Sequence, residues 1–293
     1  MDITFPRSFE YHAPSSLQEA VGLLSRNADA KVLAGGQSLI PMMKLRLATP
    51  EAIIDISKIK GLSGITVKGN SIKIGSMTKI SDLGESPAVE SHLSALHDAS
   101  IVIADTQVRD MGTLGGNIAN ADPYNDMPVV ALAFDASIGI YGKAGMRTEQ
   151  SSSFFVDAYT TKASSTEIIT DITFNVPGAR YGSAYSRVDR RVGDYALSAA
   201  SAMLELNEAG EIIELRIAAS GLSNTAMRLP ETESYLTGQK PSLSRFKNAA
   251  EKAISALNIE DSIYATGRIK KLAAEKAMAD ALSLAYTRAK AIN

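Results

Sequence analysis

Ala34-Gly35-Gly36-Gln37-Ser38-Leu39 follows an apolar run, Lys31-Val32-Leu33, and leads into Ile40-Pro41-Met42-Met43. The run reads as a short buried strand. The adjacent glycines read as the turn that ends it, with positive φ and N–H groups pointing one way. Such a concavity accepts an anion, commonly a phosphate, and Ser38 adds a hydroxyl. A tight loop after a strand is the plainer reading of the same letters. A second stretch, Thr113-Leu114-Gly115-Gly116-Asn117, has the same character: a hydroxyl, paired glycines, then a polar side chain. Two such loops can clasp the two phosphates of one dinucleotide. Neither is a P-loop, because no Gly-Lys-Ser/Thr follows, and neither has the G-x-G-x-x-G spacing of a Rossmann fingerprint. A phosphate-bearing cofactor held in another way is the expectation.

Outward from the first loop, Phe9-Glu10-Tyr11-His12 reads as a strand. Ser15 or Ser16 then caps a helix with Leu17, Ala20, Val21 and Leu24 at helical spacing. With the strands 31–34 and 52–56 this makes a small parallel βαβ unit with right-handed crossover. Ile65–Lys68 and Ser71–Ile74 alternate around Gly69-Asn70, a hairpin that opens an antiparallel sheet. Helices are expected near Lys79–Leu83 and from about Ser91 to Val102. Met127–Phe134 reads as helical or buried, and strands return at 136–141 and 167–176. Asn175-Val176-Pro177-Gly178-Ala179 reads as a domain boundary. Beyond it come three strands, 183–188, 195–206 and 211–220, with a turn at 207–210. Helices follow at about 231–236, 243–257 and 268–290.

With 293 residues, 45% hydrophobic and 21% charged, the chain has the composition of a globular protein of more than one domain. A net charge of −2 and the lack of a basic run give no reason to expect a nucleic-acid partner. There is no cysteine, which excludes disulfides, thiol catalysis, flavin attachment through sulfur and iron–sulfur ligation by this chain. Met1-Asp2-Ile3-Thr4-Phe5-Pro6-Arg7 does not read as a signal peptide, so none is expected, and no apolar run nears the ~18 residues of a membrane span. A cytoplasmic location is the expectation. His12, His92 and His97 show no metal-ligand spacing, and no nucleophile or acid–base constellation stands out.

The two glycine pairs, together with Leu45-Arg46-Leu47…Pro50, Asp55-Ile56, Gln107-Val108-Arg109, Asp122-Pro123…Asp126-Met127-Pro128 and Arg190-Arg191-Val192-Gly193-Asp194-Tyr195-Ala196, resemble the FAD-binding medium subunit of the molybdenum hydroxylases. This is the family of carbon monoxide dehydrogenase, xanthine dehydrogenase and aldehyde oxidoreductase. The matches occur in the family's order and span most of the chain. The resemblance implies an α+β chain. A two-lobed FAD-binding fold, a small parallel lobe (1–57) and an antiparallel lobe (58–177), makes the first domain, 1–177. A second domain, 178–293, has a three-stranded antiparallel sheet with helices.

It also implies a cofactor site. Leu33, Ala34, Gly35, Gly36, Gln37, Ser38 and Leu39 form its first wall, and Thr113, Gly115, Gly116 and Asn117 its second. Asp126 would bond the ribityl hydroxyls, although as the start of Met127-Pro128 it equally suits a helix N-cap. Ile103 and Ile169 match positions that flank the adenine region, where core packing explains an isoleucine as well. The Arg190-Arg191-Val192-Gly193-Asp194-Tyr195 segment would approach the isoalloxazine and Tyr195 would cover one face of it, unless the strand turns Tyr195 into the core. The resemblance further implies non-covalent FAD and heteromeric assembly with an iron–sulfur small subunit and a molybdenum large subunit, as a dimer of heterotrimers. The 2Fe-2S clusters and molybdenum cofactor would sit on those partners, and electrons would pass to an external acceptor. Two other readings stand beside it: a self-contained FAD-dependent oxidase or reductase, and an interaction subunit without cofactor.

Overall fold

The computed structural model describes residues 5–178, 180–262 and 264–291. Met1–Thr4 of the N-terminal reading and Ala179 of the proposed boundary lie outside the described residues. The chain opens with β1 (Glu10–His12), α1 (Leu17–Arg26), β2 (Lys31–Leu33), α2 (Leu39–Lys44) and β3 (Ala52–Asp55). Ser16 caps α1 by accepting the Glu19 N–H, and Ala20, Val21 and Leu24 are its buried face. The three strands are parallel in the order β1-β3-β2, as strand–helix–strand connection requires.

The second lobe is built on a five-stranded antiparallel sheet ordered β4-β5-β10-β6-β7. Its strands are β4 (Ile65–Lys68), β5 (Ser71–Gly75), β6 (Ser137–Gly142), β7 (Gly145–Gln150) and β10 (Ile168–Asn175). Between β5 and β6 lie α3 (Ile80–Gly84), α4 (Pro87–His92), α5 (Ser94–Val102), α6 (Thr106–Met111), α7 (Leu114–Asn120) and α8 (Asp126–Ala133). A single turn, α9 (Ser151–Phe154), and the short pair β8 (Phe155–Asp157) and β9 (Thr160–Thr161) complete it. The helix expected from about Ser91 to Val102 is two helices. Ser86 and Pro87 start α4 early, and Leu93, at φ −128° and ψ 53°, breaks the chain before α5.

The C-terminal part carries the three expected strands, β11 (Tyr181–Asp189), β12 (Ala196–Leu206) and β13 (Ile212–Ser220). A short fourth strand, β14 (Met227–Arg228), extends them into a four-stranded sheet. The helices are α10 (Pro230–Leu236), α11 (Leu243–Ser255) and α12 (Gly267–Ala291). β12 is buried along almost its whole length because both faces of this sheet are covered. Ala199 and Met203 face the second lobe's core, whereas Ala200, Ala202 and Leu204 face the core under α12. Apart from Asp126 at its start, α8 is apolar all round, and it is entirely buried in the core shared by the two sheets. At the far end Arg288 forks onto Asp98 at 2.6 and 2.8 Å, tying α12 to α5.

Candidate functional site

One cleft of about 630 Å³ runs where the three sheets meet, within the usual range for small-molecule sites. Of the residues expected at a cofactor, Ala34 to Leu39, Ile103, Thr113, Gly115, Gly116, Asn117, Asp126, Ile169 and Tyr195 all line it. Leu33 does not. Its side chain lies behind the first loop, against the space a Cβ on Gly36 would take.

The first loop has the expected turn, with positive φ at Gly36 but not at Gly35. Gly36 sits at φ +75°, and the loop runs into α2 through an Ile40 N–H bond to the Gly36 carbonyl at 3.0 Å. Gly35 lies so close to the end of α6 that a Cβ there would stand 2.0 Å from the Met111 carbonyl oxygen. The N–H groups of Gly35, Gly36, Gln37 and Ser38 have no protein acceptor among the described residues. Successive free N–H groups beside a left-handed residue make a nest for an anion.

The second glycine pair differs from its expectation. Gly115 and Gly116 are the first turn of α7, not a loop, and neither has positive φ. Their N–H groups are already used: Leu114 donates to the Thr78 carbonyl, Gly115 to that of Ser76 and Gly116 to Thr113 Oγ1. The glycines are there for close packing. A Cβ on Gly115 would stand 2.4 Å from that of Ser76, and one on Gly116 would stand 2.8 Å from Thr113 Oγ1. What this wall can still offer a ligand is the Thr113 hydroxyl proton and the Asn117 side-chain amide.

Asp126 is not the N-cap of α8; Asn125 holds that position, and Asp126 is the first helical residue, turned into a buried polar cluster. The Tyr185 hydroxyl and Arg187 Nη1 both donate to its Oδ1, so Oδ2 is the oxygen left for a ligand. Arg187, almost fully buried, also donates to Asp189 Oδ1 at 2.6 Å and to the Asp194 carbonyl. Burial raises the Asp126 carboxyl above its ordinary range, against the pull of Arg187 and Tyr185. Burial opposes the charge on Arg187, yet Asp126 and Asp189 hold it protonated. Tyr185 is likewise pushed well up by burial and by Asp126.

Of the segment expected to approach the cofactor ring, Gly193, Asp194 and Tyr195 line the cleft, whereas Arg190 and Arg191 do not. Arg190 meets Asp194 at 3.4 Å and lies over the Tyr264 ring at 5.0 Å. The arginine at the cleft is Arg187. Alternation along β11 places Tyr185, Arg187 and Asp189 on one face, and that signal could have found it. Tyr195 is 52% exposed and borders the cleft, so the strand does not turn it into the core. Partial burial and Asp122 push the hydroxyls of Tyr195 and Tyr159 up to about 12, so both are neutral donors near pH 7. The histidines stand apart from the cleft, with His12 near Glu10 and His97 near Asp98. Among the described residues no cluster of three or more His, Asp or Glu could hold a metal, and no helix is long and apolar enough to cross a membrane.

A cleft of this size, with a nest of free N–H groups and a buried carboxylate among its lining residues, suits a phosphate-bearing cofactor of the dinucleotide class. Comparison with known proteins makes this particular. Residues 7–177 match the FAD binding domain in molybdopterin dehydrogenase, and residues 183–285 the CO dehydrogenase flavoprotein C-terminal domain. The chain is similar to the carbon monoxide dehydrogenase medium chain of Hydrogenophaga pseudoflava, at 38% identity over 97% of this chain and 99% of that one. In the solved structure of that enzyme the matching chain superposes with a TM-score of 0.93, again at 38% identity and 97% and 99% coverage. The glyceraldehyde dehydrogenase medium chain of Sulfolobus acidocaldarius is 37% identical, over 87% of this chain and 90% of its own. The chain belongs to the family of FAD-binding subunits of the molybdopterin dehydrogenases, and is an oxidoreductase component with a FAD-binding domain.

Proposed function

We propose that this chain is the FAD-carrying electron-transfer subunit of a heteromeric molybdenum hydroxylase. It would take electrons from a 2Fe-2S subunit and pass them to an external acceptor, while a molybdenum subunit oxidises the substrate. The observation that carries this reading is the run of N–H groups from Gly35 to Ser38, without acceptors among the described residues, in the wall of a cleft of about 630 Å³. Bound there, FAD supplies a centre that exchanges electrons both singly and in pairs.

The chain's own groups do the holding. The nest offers donors to phosphate oxygens, and Thr113 and Asn117 add side-chain donors beside it. Asp126 Oδ2 accepts from hydroxyls of the ribityl chain, its other oxygen being fixed by Tyr185 and Arg187. Ile103 and Ile169 provide apolar walls, and Tyr195 a ring at the border of the cleft. The absence of cysteine supports non-covalent attachment and requires the clusters to sit on another chain. On this reading residues 1–177 form the FAD-binding domain and 178–293 a second domain, within a dimer of heterotrimers. Relatives at 37–39% identity are named for carbon monoxide and glyceraldehyde, which supports a carbon monoxide or aldehyde type of substrate.

Mass photometry with metal analysis of native material tests the assembly. A complex containing molybdenum, iron and flavin is expected. A metal-free homo-oligomer that oxidises a substrate unaided would overturn the proposal in favour of a self-contained flavoenzyme.

A further inference from the structure

Ser76 follows the last residue of β5 and is 3% exposed. Its backbone is fully used: the N–H donates to the Thr170 carbonyl at 2.9 Å, and the carbonyl accepts from Gly115 at 2.8 Å. Its side chain is held in place as well, because Gly115 packs directly on the Ser76 Cβ. Its hydroxyl, however, is buried with no hydrogen-bond partner. Buried hydroxyls are normally paired, and one left alone is costly. Asp135, Arg180, Ser201 and Ser220 also bury an unpartnered polar atom, but none of them lines the cleft, whereas Ser76 does.

We propose that Ser76 is a cofactor-binding residue, its hydroxyl donating a hydrogen bond to an oxygen of the bound dinucleotide. The inference rests on the FAD reading above and adds to it a residue outside both glycine pairs. The fixed backbone and the packing of Gly115 on its Cβ leave rotation about χ1 as the one freedom by which the hydroxyl turns to a ligand, so little ordering is lost on binding. An alanine in the same place would satisfy the fold better, since nothing among the described residues uses the oxygen, and what sets Ser76 apart from Ser201 and Ser220 is its place in the cleft wall.

Two readouts on the full chain, wild type and Ser76→Ala, test this. Flavin-free Ser76→Ala should melt roughly 1–3 °C higher than the flavin-free wild type, because an unpaired buried hydroxyl is removed. Its FAD dissociation constant, from flavin fluorescence titration, should be about 3- to 10-fold weaker. Opposite signs in the two measurements are the signature, since a purely structural serine would lose stability and affinity together. Unchanged FAD affinity, or a lower melting temperature without flavin, would overturn the proposal. Wild-type protein that binds no FAD would instead refute the functional reading on which it rests.

Discussion

At the scale of single residues, Gly36 and Arg147 make the sharpest predictions. Gly36 is left-handed, and an added Cβ would stand 2.6 Å from Ile40 Cδ1. Gly36→Ala is expected to cost about 1–2 kcal/mol of stability from backbone strain. It should also weaken FAD binding roughly tenfold or more by reorienting the nest. Chemical denaturation and flavin titration read the two effects separately, and full affinity in the destabilised variant would reduce the loop to a turn. Arg147 grips Glu167, a cleft-lining residue, at 2.7 and 2.8 Å, and these bonds hold its carboxyl at about 2 against an ordinary 4.5. A depressed carboxylate stabilises the fold fully above its unfolded pKa, and that contribution fades as pH falls through the folded one. Arg147→Gln should therefore be less stable at pH 7 and show a flatter loss of stability between pH 4.5 and 2. Urea melts across that window check it; an unchanged slope would dissociate Glu167 from the acid response.

Secondary-structure elements show where sequence patterns stop informing. The first lobe was legible because its strands and α1 follow their local periods, and the Gly69-Asn70 turn joins β4 to β5 as read. β12 and α8 lack a clean period because both faces of each are buried. In the second glycine pair the same two letters serve helix packing instead of a turn; Thr113 as N-cap was a local sign of the helix, whereas the packing on Ser76 is remote in sequence. The Asp126–Tyr185–Arg187 cluster joins residues about sixty positions apart and was half legible: the aspartate carried a motif, the tyrosine and arginine did not. Packing makes its own prediction. A Cβ on Gly182 of β11 would stand 2.1 Å from the Ala285 carbonyl of α12, whereas Gly22 in α1 has nothing within 4 Å. Gly182→Ala should destabilise by about 1–3 kcal/mol or more as α12 is pushed off the sheet. Gly22→Ala should stabilise by about 0.5–1 kcal/mol through helix propensity alone. Paired thermal melts check the signs, and a neutral Gly182→Ala would show that α12 shifts freely.

For the whole molecule, the architecture explains why one chain can hold a long cofactor at several points. The nest belongs to the parallel lobe, Ile169 to the antiparallel lobe, and Arg187 with Tyr195 to the C-terminal sheet, so all three sheets contribute to one cleft. The fully buried α8 and the Arg288–Asp98 pair bind the second and third sheets together, so the walls are held by core packing instead of loops alone. A ligand that engages both the nest and the Asp126 cluster would be held by all of these walls, which is what the FAD reading requires. The most direct test is acid precipitation of the purified chain, followed by identification and quantitation of the released flavin. One FAD per chain, all in the supernatant, is the expected result; FMN, no flavin, or a pellet that stays yellow would overturn the assignment of this cleft to non-covalent FAD.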